Sequence, residues 1–166
     1  IEGIDCRHLI IVGNIRVGKF YAAMSKVIGV CKKEKINVQV VAATKYLKND
    51  IFSTIWYIVD DAKACILNPV RHFAFKNDSK VYIGSANEVR LFYPKSDLVV
   101  IKSADRIDYE VFMEIATRTT GQIILTCNDI KAKSWLFELS QKDSCVVVNA
   151  DDFAPKFNYI EPNSNF

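Results

Sequence analysis

Apolar positions along the chain fall into short runs separated by longer amphipathic stretches, and the alternation sets the element order. His8-Leu9-Ile10-Ile11-Val12 is a β-rich run, followed by Phe20 to Lys33, whose apolar residues recur at helical spacing and end in a basic turn. Asn37 to Ala43 predicts a second strand. Leu47 to Cys65 predicts a long helix with Asp50 as its cap and Ile51, Ile55, Ile58 and Val59 on one face. His72 to Phe75 and Lys80 to Ile83 flank Asn77-Asp78-Ser79 and predict a β-hairpin. Leu98 to Ile101, the most apolar short run, predicts a central strand covered on both faces. A helix over Asp108 to Thr117, a strand over Gln122 to Thr126, a helix over Lys133 to Ser140 and a strand over Cys145 to Asn149 complete the series. Strands alternating with helices make this an α/β chain with a mostly parallel, helix-covered sheet and an inserted β-hairpin.

Chemistry enters between the first strand and the first helix. Gly13-Asn14-Ile15-Arg16-Val17-Gly18-Lys19 matches the phosphate loop GxxxxGK, and the flanking strand and helix are the context that gives the motif meaning. In such a unit the backbone N–H groups of residues 14 to 20 point into one concavity at a helix N-terminus, which favours anions, and Lys19 reaches the outer phosphates. The next residue in the motif is Ser or Thr, whose hydroxyl ligates Mg²⁺, whereas here it is Phe20. A phosphate-loop enzyme also needs an Asp at the end of a central apolar strand, usually with a Glu beside it. After Leu98 to Ile101 those positions hold Lys102 and Ser103, and Asp105 just downstream is the nearest acid that could take their place. ATP is therefore the ligand class the loop suggests, and Mg²⁺ is doubtful. The bland alternatives are a strand-to-helix turn that needs no ligand and a Lys102 that is simply solvated at a strand end.

Composition narrows the rest. The 166 residues suit one domain over residues 1–153 with an irregular Pro- and Asn-rich tail over 154–166. Lys and Arg number 22 against 19 for Asp and Glu, too small a bias to argue nucleic-acid binding by itself. The five widely spaced cysteines suggest neither a disulfide framework nor a metal site, and suit a reduced intracellular compartment. No apolar run is long enough to span a membrane. His8 and His72, the only histidines, have no metal-ligand spacing. Asp60-Asp61 falls at the end of a helical pattern, and Asp151-Asp152 lies too near the chain end to suggest a role at the loop. Arg7, Arg16, Lys32, Lys33, Lys35, Lys45, Lys48, Arg71, Arg90, Lys95, Lys131 and Lys133 could contact nucleic-acid phosphates if they converge, with Trp56, Tyr57, Phe92 and Tyr93 as stacking surfaces; solvated lysines and core aromatics are the plainer reading.

The order of these elements resembles the N-terminal ATPase domain of tailed-phage large terminases over residues 8 to 153. The phosphate loop, Thr44 to Asp50 leading into a long helix, Val81 to Ser85, Leu98 to Ala104, and Thr120 to Asp129 with Trp135 soon after carry the resemblance. It implies a three-layer P-loop NTPase fold with Gly13, Gly18 and Lys19 on phosphate-binding positions and Arg16 near the loop arginine of the family, one place out of register. Lys102 and Ser103 lie where the family has Asp-Glu, making both metal-site motifs degenerate. Thr126 and Asn128 fall on the strand end that couples hydrolysis to movement, with Asn128-Asp129 where Asn-Pro is usual. The resemblance further implies phage DNA packaging in the host-cell cytoplasm, with DNA, packaging or capsid proteins, and other copies of the chain as partners. A nuclease domain follows in terminases, and this chain stops where it would begin. Three readings result: a terminase-like nucleotide-binding domain with lost or reduced hydrolysis, an active translocating ATPase in which Asp105 or another acid serves the metal, and a structural interaction protein on an inherited fold.

Overall fold

The computed structural model describes residues 4–15, 17–59, 63–66, 71–88 and 95–153. Strands β1 (His8–Val12), β2 (Asn37–Ala42), β3 (Lys63–Ile66), β4 (Arg71–Ala74), β5 (Lys80–Ser85), β6 (Leu98–Lys102), β7 (Ile123–Cys127) and β8 (Cys145–Asn149) form one sheet in the order β3-β4-β5-β2-β6-β7-β1-β8. Every pairing is parallel except the two made by β4. Helices α1 (Lys19–Lys33), α2 (Lys45–Ile58), α3 (Tyr109–Thr117), α4 (Trp135–Ser140) and α5 (Ala150–Phe153) connect or follow them.

Two cores result from the two faces of the strands. Leu9, Ile11, Val38, Val40, Val100 and Ile124 pack with the α1 residues Ala23, Met24, Val27 and Cys31 and with Ile51 and Ile55 of α2. The alternate residues Ile10, Val41, Val99, Ile101, Ile123 and Leu125 pack with Phe112 and Ile115 of α3 and Leu136 and Leu139 of α4. Continuous apolar runs are what strands buried on both faces require, and the three-layer α/β architecture follows. β6 lies between β2 and β7, as its apolar run predicts.

Three expectations shift. α2 begins at Lys45, where Thr44 Oγ1 accepts the Leu47 N–H at 3.4 Å, so Thr44 and not Asp50 caps it. It ends at Ile58, and Cys65 belongs to a strand, because pairing of β3 with β4 (Cys65 opposite His72) competes with helix continuation and wins. The hairpin over β4 and β5 forms around Asn77–Ser79, with Asp78 at φ 66°, and β3 extends it to three strands. Asp60-Asp61 and the tail over 154–166 lie outside the described residues. Among the described residues no helix is long and apolar enough to cross a membrane.

Candidate functional site

The loop between β1 and α1 needs both of its glycines. Gly13 has φ +154°, and a Cβ there would meet Ala150 Cβ at 3.2 Å and Asp151 Oδ2 at 3.3 Å. Gly18 has φ +78° and no atom within 4 Å of where its Cβ would stand, so it needs glycine for conformation and leaves open space beside the helix start. It occupies the N-cap of α1 without a side-chain cap, and no acid stands in the first turn. A fifteen-residue helix thus presents uncapped N–H groups and the positive end of its dipole to the cleft.

Lys19 folds back over this loop. Its Nζ donates to Gly13 O at 2.6 Å, Asn14 O at 2.5 Å and Asn128 Oδ1 at 3.3 Å. Burial lowers its pKa from the ordinary lysine value, and the charges of Asp151 and Asp105 work in the opposite direction. Asp151 also braces the loop: its carboxylate accepts the Asn14 N–H at 3.1 Å and the Asn14 side-chain amide at 3.1 Å. This corrects the expectation that an acid near the chain end lies away from the loop. β8 pairs in register with β1, Asn149 opposite Val12, so whatever follows β8 arrives beside Gly13.

A cleft of about 530 Å³ opens beside the loop, lined by Lys19, Phe20, Tyr21, Asp50, Lys102, Arg106 and the β7 end among others. Phe20 does not swing into it freely; it is 9% exposed and belongs to the core. Lys102 Nζ lies 4.8 Å from the Phe20 ring centroid and forms an ion pair with Asp50 of α2. Ser103 takes the left-handed conformation, φ 60° and ψ 52°, and turns the chain into a short 3₁₀ segment over Ala104–Arg106. That turn carries Arg106 to the cleft and Asp105 to within electrostatic range of Lys19 and Cys127. β7 runs between β1 and β6, with Thr126 opposite both Ile11 and Lys102, so its end separates the two lysines. Thr126 is buried and its hydroxyl donates to Ile101 O at 3.4 Å, while Asn128 is exposed and holds Lys19. Burial pushes the Cys127 thiol up to about 12, which leaves it neutral. Asn14, Ile15 and Gly18 are exposed, Ile15 to 72%. Val17 is half-buried, and Arg16 lies outside the described residues.

A divalent ion here would need hard oxygen ligands. Phe20 and Lys102 offer no oxygen and meet each other, and Asp50, the one carboxylate among the described residues lining the cleft, is engaged by Lys102. Among the described residues no three His, Cys, Asp or Glu side chains cluster to hold a metal.

The candidate nucleic-acid contacts divide. Arg7 is committed to the carbonyls of Ala116, Thr119 and Gly121, and Lys48 forms an ion pair with Glu88 at 3.0 Å, so neither is a free surface cation. Lys35 pairs with Asp78 at the surface, and Arg71 lies 5.7 Å from the Phe52 ring centroid. Trp56 and Tyr57 are exposed, 59% and 87%, against the expectation of core aromatics. Arg90, Phe92 and Tyr93 lie outside the described residues.

No protein-family model and no curated protein matches this sequence. Solved structures do. A large terminase from a thermophilic bacteriophage, in complex with ADP, superposes with a TM-score of 0.69 at 12% identity, over 89% of this chain and 41% of that one. The chain has the fold of a terminase ATPase domain. A Thermus phage large terminase ATPase domain matches with a TM-score of 0.66 at 13% identity, over 90% of this chain and 77% of that domain. The N-terminal domain of the bacteriophage phi29 DNA packaging ATPase matches with a TM-score of 0.63 at 13% identity, over 92% and 93% of the two chains. This chain spans about 41% of the length of the thermophilic-phage terminase chain it matches. Its Phe20, Lys102 and Asp50 form the part of the site where a motif reading alone, lacking strand order, misses the partner: Asp50 and Arg106 carry no motif signal.

Proposed function

We propose that this chain is a terminase-like nucleotide-binding domain whose hydrolysis is lost or strongly reduced. The observation that carries the reading is Lys19 hydrogen-bonded over an uncapped helix N-terminus, beside a cleft whose metal-ligand positions are Phe20 and Lys102. The loop supplies backbone donors and a cation for phosphate, which is what binding requires. Turnover further requires a polarised water and charge stabilisation in the transition state, and the side chains at those positions are not acids. ATP is the ligand of choice, since a similar terminase structure holds ADP and another holds ATP-γ-S. Arg16 and Asp105 are the residues through which any residual hydrolysis would run. DNA, packaging or capsid proteins and further copies of this chain are the partner classes such a domain serves, and the exposed Trp56 and Tyr57 favour a face on α2 that meets a partner.

Calorimetry with ATP on the native chain and on Lys19→Ala, with phosphate release measured in parallel, tests the reading. Binding that Lys19→Ala removes, with turnover at background, is the expected result. Turnover abolished by Lys19→Ala would show an active ATPase instead, and no binding would leave a scaffold.

A further inference from the structure

We propose that Lys102 is the resident counter-cation of the cleft: it meets the phosphate chain directly, so that the preferred ligand is a metal-free nucleoside polyphosphate, and Asp50 is the carboxylate that holds Lys102 until an anion displaces it. The inference rests on the nucleotide reading above.

Three observations carry it. Lys102 is positioned rather than loose, with its side chain 17% exposed, its ammonium over the Phe20 ring and its charge paired to Asp50. Asp50 is 58% exposed, so water reaches the pair and a multivalent anion can replace one carboxylate. Lys19, Lys102 and Arg106 line the same cleft, with Asp50 as the only acid among the described residues that line it. Asp105 and Asp151 act on Lys19 from outside the lining, so Lys102 and Arg106 are the cations left for a ligand, and each Mg²⁺ that binds the nucleotide removes two of the negative charges they would meet. The ammonium of Lys102 also repels a divalent ion from the place where one would otherwise bridge loop and phosphate.

The pair makes the two substitutions act in opposite directions. Lys102→Met, which keeps the aliphatic stem against Phe20, removes a charge-assisted contact and is expected to weaken ATP binding in EDTA about tenfold or more. Asp50→Asn frees Lys102 and is expected to tighten it about two- to fivefold. Phe20→Ser combined with Lys102→Asp rebuilds an oxygen site, and its affinity is expected to rise with Mg²⁺.

The experiment is calorimetric titration of ATP into the native chain in EDTA and in millimolar Mg²⁺, repeated on these variants after each is shown by circular dichroism melting to be folded. Native binding that is tighter in EDTA, weakened by Lys102→Met and tightened by Asp50→Asn, bears the proposal out. Native binding that tightens with Mg²⁺, or is unmoved by Lys102→Met, overturns it while leaving a nucleotide-binding domain. Loss of affinity in Asp50→Asn overturns the holding role of Asp50. Absence of binding in both buffers overturns the proposal and the nucleotide reading together.

Discussion

The ammonium of Lys102, at the end of β6, stands 4.8 Å from the ring centroid of Phe20, in the first turn of α1. A buried phenyl ring offers no oxygen to an ion but does offer a negative face to an ammonium. Reversing one position alone therefore leaves the other in place.

Phe20→Ser tests that coupling. Phe20 is 9% exposed and packs in the core, so its truncation is expected to cost about 3 kcal/mol in urea denaturation, mostly from lost burial. The variant is expected to gain no Mg²⁺-dependent phosphate release while Lys102 remains. Turnover restored by this single change would show the two positions to be independent.

The glycine pair of the loop separates shape from space. Gly18→Ala meets no neighbour and pays only for its left-handed backbone, expected at about 1 kcal/mol. Gly13→Ala carries an unfavourable φ and also presses on Ala150 and Asp151, so its loss in the same chemical denaturation series should be the larger of the two. Equal losses would mean that α5 gives way at no cost.

Much of this fold is legible in the residue pattern, and the reasons are local. β1, β2, β6, β7 and β8 are apolar runs of strand length, and α1 has a clean stripe ending in Lys32 and Lys33. β3 is four residues long and follows a helical pattern directly, so only its pairing with β4 distinguishes it. Gly13 and Gly18 are legible because the loop's backbone takes a positive φ at both, and Lys19 because it follows them at the motif's spacing. Asp50, Arg106 and Asp151 are not, since they reach the cleft or the loop through the order of strands, the register of β8 on β1 and the left-handed turn at Ser103. None of those is encoded by a short window of sequence.

Lys48 and Glu88 form an ion pair at 3.0 Å with side chains 11% and 19% exposed, linking α2 to the segment after β5. Glu88 also accepts the Ser85 N–H at 2.9 Å. Lys48→Met leaves a largely buried carboxylate short of its cation and is expected to cost about 3 kcal/mol, whereas Lys48→Met with Glu88→Gln should recover part of that loss. A double-mutant cycle by urea denaturation measures the coupling, and strict additivity would deny it.

Acid sensitivity follows from the histidines. Burial lowers the pKa of His8 below 6.5, with Arg7 and Lys142 adding to the shift, and burial with Lys80 does the same for His72. His8 Nδ1 and His72 Nδ1 are buried without a hydrogen-bond partner, which is consistent with neutral rings. Because the folded pKa lies below the unfolded one, the unfolded chain binds more protons as pH falls through 6.5, and stability declines until the folded-state pKa is passed. Glu88 acts lower on the scale: burial works to raise its pKa, but bonds from Ser85 and Lys48 outweigh it and hold the group below 4.5, so its contribution is lost only as pH falls through that folded value. Urea midpoints between pH 7.5 and 5 should therefore fall for the native chain and fall less for His8→Gln with His72→Gln. An unchanged slope in that double variant would place the acid-sensitive groups elsewhere.

Asp151 offers the most local test. Its carboxylate holds the Asn14 backbone and side chain from the short helix that follows β8, and its charge raises the pKa of Lys19 against the effect of burial. Asp151→Asn keeps one acceptor oxygen, so the loop brace weakens while its charge disappears entirely. Amide hydrogen exchange at Asn14 is expected to accelerate, global stability to change by about 1 kcal/mol or less, and ATP affinity to rise because a negative charge leaves the neighbourhood of the phosphate seat. Asp151→Ala removes the brace as well, and the same exchange measurement should then show a larger effect. If affinity falls equally in both variants, the shape of the loop outweighs the charge beside it, and Asp151 acts on the ligand only by holding Asn14 in place.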